Sequence, residues 1–297
     1  MSDNKDKMHV FDDLQNNWLK TATEPFWTSD ATPALDYQFL VKLLEVPVLR
    51  GDSVRSGVFA NALDLWIARE FEHAGFEYLW PGSSQPRAVD PSLSGALNAT
   101  TNLSSAQIAS LLQGGGAQGN ANVMGSVYTK QVDVGMSNWL SGPELLVSTK
   151  TMSGSFGKNL ANRFEEAYGD VKNLRERYPL AAHGFVFLAK DSILDEQTAF
   201  DKAVHMLRQL SRNGEVYDAV ALLLVDWDNS AEVVEGSWKD LSTVQISESS
   251  KQFIPDDLSC EHFFSTLISI ILSNSPIDVH LEARRQYKQG SSGRRCK

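Results

Sequence analysis

Apolar residues recur along this chain with two different periods, and the switching between them outlines a fold. From Ser56 to Gly75, the residues Val58, Ala62, Leu65, Trp66, Ala68 and Phe71 fall at three- and four-residue spacing up to a glycine stop, which predicts an amphipathic helix. Val127 to Met136 alternates instead with a period of two and reads as a strand. Ser137 to Pro143 reads as a turn, and Glu144 to Thr151 as a second strand returning antiparallel to the first. Leu160, Phe164, Ala167, Val171 and Leu174 then line one face of a helix over Lys158 to Tyr178. His183 to Ala189 and Ala219 to Asp226 are continuous apolar runs of strand length, separated by a helix over Phe200 to Ser211, and Phe263 to Leu272 predicts a last buried helix. The order β-β-α-β-α-β predicts an α/β fold, a central mixed sheet flanked by helices.

Outside that series, residues 1–50 mix two helical stretches with Trp18, Phe26 and Trp27, which predicts an N-terminal helical arm packed on something else. Residues 51–283 are expected to form one catalytic domain, and 284–297 a basic, flexible tail. Pro, Ser, Asn and Gly dominate 81–122, a loop region around a short helix near Ser104 to Leu112. Its Gly114 to Gly119 run lacks the Lys and Ser/Thr of a phosphate cradle.

The chain has 297 residues and 42% hydrophobic content, enough for a sizeable core. No apolar run reaches membrane-spanning length, and the first residues lack an apolar stretch, so the expectation is a cytoplasmic protein with no membrane partner. Cys260 and Cys296 have no ligand spacing, which argues against structural zinc. A formal charge of −10 opposes nucleic-acid binding in the sum. A metal site that gathers its own carboxylates accounts for part of that charge, because the ion offsets it locally.

The strand pair carries the chemistry. On the return strand, Glu144, Ser148 and Lys150 share one face, while Leu145 and Val147 point into packing. The antiparallel pairing brings Asp133 close to Ser148 and Lys150. On the following helix, Glu165 and Glu166 fall on opposite flanks of the apolar stripe, so only one of them can face the strands. Glu165 lies with Tyr168 and Lys172, Glu166 with Asn162, Asp170 and Asn173. Arg163, Lys172, Asn173 and Arg175 are candidate phosphate contacts from the same helix, with surface ion pairing as the equal alternative. Phosphodiester hydrolysis needs carboxylates to hold a divalent ion and a nearby cation to orient water and offset phosphate charge, and these residues can supply both.

Asp133, followed by Ser148-Thr149-Lys150, resembles the PD-(D/E)xK nuclease superfamily, type II restriction endonucleases in particular, over roughly Val127 to Lys190. Ser148 stands where the family carries its second acid. The resemblance is to the Ser-x-Lys variant, which takes a glutamate from the helix a little over a dozen residues after the lysine. Glu165 lies nearer that spacing than Glu166. The resemblance implies Asp133, Glu144 and Glu165 or Glu166 as Mg²⁺ ligands, Asp133 ahead of Glu144 as principal ligand, Lys150 as the water-orienting cation and Ser148 in support. It also implies an acid from the preceding helix, Asp64 or Glu70. The expected activity is Mg²⁺-dependent cleavage of double-stranded DNA by a homodimer within a restriction-modification system. The alternative is a DNA-binding or regulatory protein of a defence system that keeps the fold and has lost hydrolysis.

Overall fold

The two most continuous apolar runs form the middle of a six-stranded sheet. In the computed structural model of the protein, which describes residues 9–21, 24–53, 56–77, 79–81, 121–138, 141–227 and 244–292, the strands are β1 (Leu79–Pro81), β2 (Ala121–Met124), β3 (Thr129–Val132), β4 (Val134–Asn138), β5 (Gly142–Met152), β6 (Ala182–Lys190), β7 (Ala219–Trp227) and β8 (Val244–Gln245). The large sheet runs β1-β4-β5-β6-β7-β8, and β2 and β3 form a separate ribbon. Pairing is parallel for β5-β6-β7 and antiparallel at both flanks, so the sheet is mixed. The helices are α1 (Asp12–Thr21), α2 (Tyr37–Leu49), α3 (Val58–His73), α4 (Phe156–Arg177), α5 (Gln197–Ser211), α6 (Glu248–Lys251), α7 (Cys260–Asn274) and α8 (Leu281–Ser292).

Side-chain alternation sorts the sheet into two buried faces. Leu145 and Val147 of β5, Val186 and Leu188 of β6, and Leu223 and Val225 of β7 pack with α2, α3 and α7. Met152, Phe185, Phe187, Leu222 and Leu224 point the other way, toward α4 and α5. These two helices form the β5-α4-β6 and β6-α5-β7 crossovers and cover the same face, as successive crossovers of one hand require. Gly184 marks a close approach, since a Cβ there would lie 2.7–2.8 Å from the side chains of Leu267 and Phe263 on α7.

Three expectations change. The predicted strand over Val127 to Met136 breaks at Asp133, its first half pairing with β2 and its second with β5. The N-terminal arm, expected as a unit of its own over 1–50, shares one core with the region after it, since Leu40, Leu43 and Leu44 of α2 join the same core as α3 and the sheet. Where a flexible tail was expected from residue 284, α8 runs to Ser292. It is held by buried Ala283 and by Tyr287, whose ring meets Trp27 edge-on at 5.3 Å. Arg284 donates to the carbonyls of Ser275, Pro276 and Val279, closing the end of α7. The short helix near Ser104 to Leu112 and the Gly114 to Gly119 run lie outside the described residues. Among the described residues, no helix is long and apolar enough to cross a membrane.

Candidate active site at a strand fork

The ladder between β4 and β5 runs only as far as the pair Val134–Val147. Past that point the chain of β3 turns away to pair with β2, and β5 continues from Ser148 to Met152 without a backbone partner on that side among the described residues. An unpaired N–H in such a place costs roughly 1–3 kcal/mol. The side chain of Asp133, at the fork itself, takes the place of the missing strand: its Oδ2 accepts from the Thr149 N–H at 2.8 Å. This substitution of carboxylate for backbone accounts for the break at Asp133.

Thr149 also faces across the sheet. It shares its side with Leu145 and Val147, toward α3, and its hydroxyl donates to Asp64 Oδ1 at 2.6 Å. Asp64 sits among Ala62, Leu63 and Leu65 on the buried part of α3 and is only 5% exposed. A carboxylate is rarely enclosed to that degree without a compensating charge. Burial, and then the neighbouring charge of Asp133, hold the Asp64 carboxyl well above its ordinary range, against the pull of the Thr149 hydroxyl and Lys150. Asp133 is also raised, first by burial and further by Asp170, while Thr149, Lys150 and Lys130 act in the opposite sense. Two acids that repel each other and are both partly desolvated form a place where a cation is favoured.

On the α4 side of the sheet, Lys150 reaches toward Glu166, Nζ to Oε2 4.0 Å, and Arg163 bonds the same carboxylate at 3.0 Å. Glu165 and Glu166 are both exposed on α4, and it is Glu166 that turns to Lys150. The flank that faces the strands is therefore that of Glu166, Asp170 and Asn173. Asp170 pairs with Lys130 of β3 and accepts from the Tyr128 hydroxyl at 3.2 Å. Asn173 accepts from Val127 N at 2.8 Å and donates to Tyr128 O at 2.9 Å. A Cβ on Gly125 would lie 2.1 Å from that amide, so the turn of the β2-β3 ribbon is fitted to α4. The other candidate phosphate contacts are likewise engaged: Lys172 donates to Glu215 O, and Arg175 to Val216 O and Asp218.

Ser148 and Glu144 are placed differently from expectation. The Ser148 hydroxyl lies against the buried Tyr217 phenol, which itself donates to Ala167 O at 3.1 Å, so Ser148 faces the contact between β5, α4 and the segment before β7. Glu144 lies six positions before Lys150, about 20 Å along an extended strand at ~3.3 Å per residue. It is bound at the far end: His280 Nε2 donates at 2.8 Å, Ser141 Oγ at 2.7 Å and Ser275 Oγ at 3.3 Å. It belongs to a buried clamp and not to the fork. Glu70 is also away from the fork, accepting from Asp36 N at 2.8 Å.

The donor set at the fork suits a hard divalent ion held by few protein ligands. Asp64 and Asp133 each give one oxygen to Thr149, and among the described residues the second oxygen of each accepts no hydrogen bond. No group of three or more His, Cys, Asp or Glu gathers among the described residues. Mg²⁺ is commonly bound by one or two carboxylates, with water and substrate phosphate completing six oxygens, so two acids are a sufficient protein contribution. Sequence reasoning named Asp64 only beside Glu70 and passed over Thr149; a hydroxyl on the strand face opposite Lys150, turned toward a helix carrying a core acid, was the available signal. Comparison with known proteins finds no matching family model, no matching curated protein and no matching solved structure.

Proposed function

We propose that the chain is a Mg²⁺-dependent endonuclease acting on double-stranded DNA, of the kind found in type II restriction systems. The observation that carries this reading is the fork, where Asp64 and Asp133 converge on Thr149 next to Lys150. The ion, when bound, supplies charge to polarise a phosphodiester oxygen and to acidify water. Asp64 and Asp133 would hold it. Lys150, a quarter exposed and next in the strand to Thr149, would orient the attacking water and offset charge growing on the phosphate from the α4 side of the sheet. Glu166 restrains that ammonium from the α4 side. Ser148 supplies no ligand; Asp64, arriving from the helix across the sheet, takes the place of the absent second acid. A palindromic duplex target calls for two-fold symmetry, hence a homodimer in the cytoplasm.

A second reading, a DNA-binding or regulatory protein without hydrolysis, draws on the placement of Ser148 against the buried Tyr217. Incubation of mixed-sequence duplex DNA with the protein in Mg²⁺ and in EDTA separates the two. The endonuclease reading predicts cleavage in Mg²⁺ only, reduced about 10²–10³-fold by Lys150→Ala, the size found when one transition-state donor is removed. Wild-type nicking by Lys150→Ala would overturn the assignment. DNA binding without cleavage in any divalent metal would favour the second reading.

A further inference from the structure

Among the described residues, Thr149 hydrogen-bonds both acids of the fork. Its backbone N–H donates to Asp133 and its hydroxyl to Asp64, at 2.8 and 2.6 Å. The residue is 4% exposed, so neither bond competes with bulk water. The geometry follows from strand structure. On β5 the side chain points to the α3 face while the N–H lies in the plane of the sheet, so one residue addresses an acid on a covering helix and an acid at the sheet's open edge. The rotamer is narrowed by β-branching and by the bond to Asp64 on α3. Because each carboxylate commits one oxygen to Thr149, the motion of the two remaining oxygens relative to each other is restrained before any ion arrives.

We infer that Thr149 is a positioning residue for the divalent ion, an inference that rests on the metal-dependent reading above: it sets Asp64 and Asp133 at a fixed separation so that they act as one two-carboxylate holder. Groups that orient metal ligands without touching the metal typically change affinity 10–100-fold when removed. Thr149→Val keeps the shape and the backbone N–H but deletes the bond to Asp64. Thr149→Ser keeps the hydroxyl.

The test is calorimetric titration of the full chain with Mn²⁺, checked by the rise in melting temperature that Mn²⁺ or Mg²⁺ produces. It is paired with the Mg²⁺ dependence of cleavage. Thr149→Val is expected to weaken Mn²⁺ affinity 10–100-fold and to raise the Mg²⁺ concentration for half-maximal cleavage by a similar factor, with the rate recovering toward wild type at saturating metal. Thr149→Ser, which keeps the hydroxyl, is expected to stay within about threefold of wild type by both readouts, below the roughly 10-fold lower bound for loss of an orienting group. A purely structural role would lower the metal-free melting temperature of Thr149→Val and leave Mn²⁺ affinity unmoved, which overturns the inference alone. Loss of affinity in Thr149→Ser equal to that in Thr149→Val also overturns it. Absence of Mn²⁺ and Mg²⁺ binding by the wild-type chain overturns the inference together with the endonuclease reading.

Discussion

Asp64 shows how a single buried acid exposes a site to measurement. Its folded carboxyl lies above the ordinary range because burial and Asp133 disfavour the charge. A raised carboxyl contributes stability that is complete below its unfolded value, about 3.9, and that is lost as pH rises through the folded value. At neutral pH without metal, the fork is therefore a source of instability. Asp64→Asn removes the charge and keeps an oxygen for the Thr149 hydroxyl. It is expected to raise the melting temperature in EDTA, by about 2–4 °C for each kcal/mol gained. Addition of Mg²⁺ should then stabilise the wild type and not the variant. A melting temperature lowered by the substitution, in EDTA at pH 7, would show that Asp64 is already satisfied in its charged form. The neighbouring choice between Glu165 and Glu166 is tested as simply: Glu165→Gln should leave cleavage at the wild-type rate, since Glu165 is exposed on the flank turned away from Lys150.

The elements around the site were legible in the sequence to different degrees, and the differences have physical causes. Periodicity marked α3, α4, β5, β6 and β7 because each buries a regular stripe or run, and such patterns are local. The fork at Asp133 was not legible, because alternation is the same whether a strand continues beside one partner or changes partners. What separates the two cases is the bond from Thr149, sixteen residues away in the chain. Projection on a helical wheel sets Glu165 and Glu166 on opposite flanks but does not say which flank meets the sheet. That is decided by how α4 lies on β5 and on the β2-β3 ribbon, through Asp170 and Asn173. Ser148 looked like a depleted acid position for a similar reason: its partner Tyr217 belongs to the segment before β7. Restoring the acid with Ser148→Asp should therefore not improve cleavage. It places a carboxylate against a buried phenol and should cost about 1–3 kcal/mol in denaturant unfolding, the range for a poorly satisfied buried polar group. Faster cleavage with unchanged stability would mean that the Ser148 position opens onto the metal.

Beyond the fork, the fold is closed by a second polar centre that the sequence assigned to chemistry and the structure assigns to assembly. Glu144, at the start of β5, is buried with His280 from the α7-α8 junction, so the mid-chain strand is tied there to the C-terminal helices. Burial alone would raise its carboxyl, but hydrogen bonds from His280, Ser141 and Ser275 outweigh that and hold it below the ordinary range. A lowered carboxyl stabilises the fold above its unfolded value, about 4.3, and the contribution disappears as pH falls through the lower folded value. Glu144→Gln is accordingly expected to lose roughly 1–3 kcal/mol at pH 7, and the gap to wild type should shrink in the acid range below pH ~4. A gap that is constant from pH 7 to pH 3 would contradict the clamp.

The account as a whole stands on the two carboxylates at the fork accepting one divalent ion. Anomalous diffraction from crystals soaked in Mn²⁺ reads this without any assay of activity. The expected result is a single strong peak at about 2.0–2.3 Å from one oxygen each of Asp64 and Asp133, on the side open to Lys150. A map with no peak at the fork, or with Mn²⁺ bound only at other carboxylates, would contradict it.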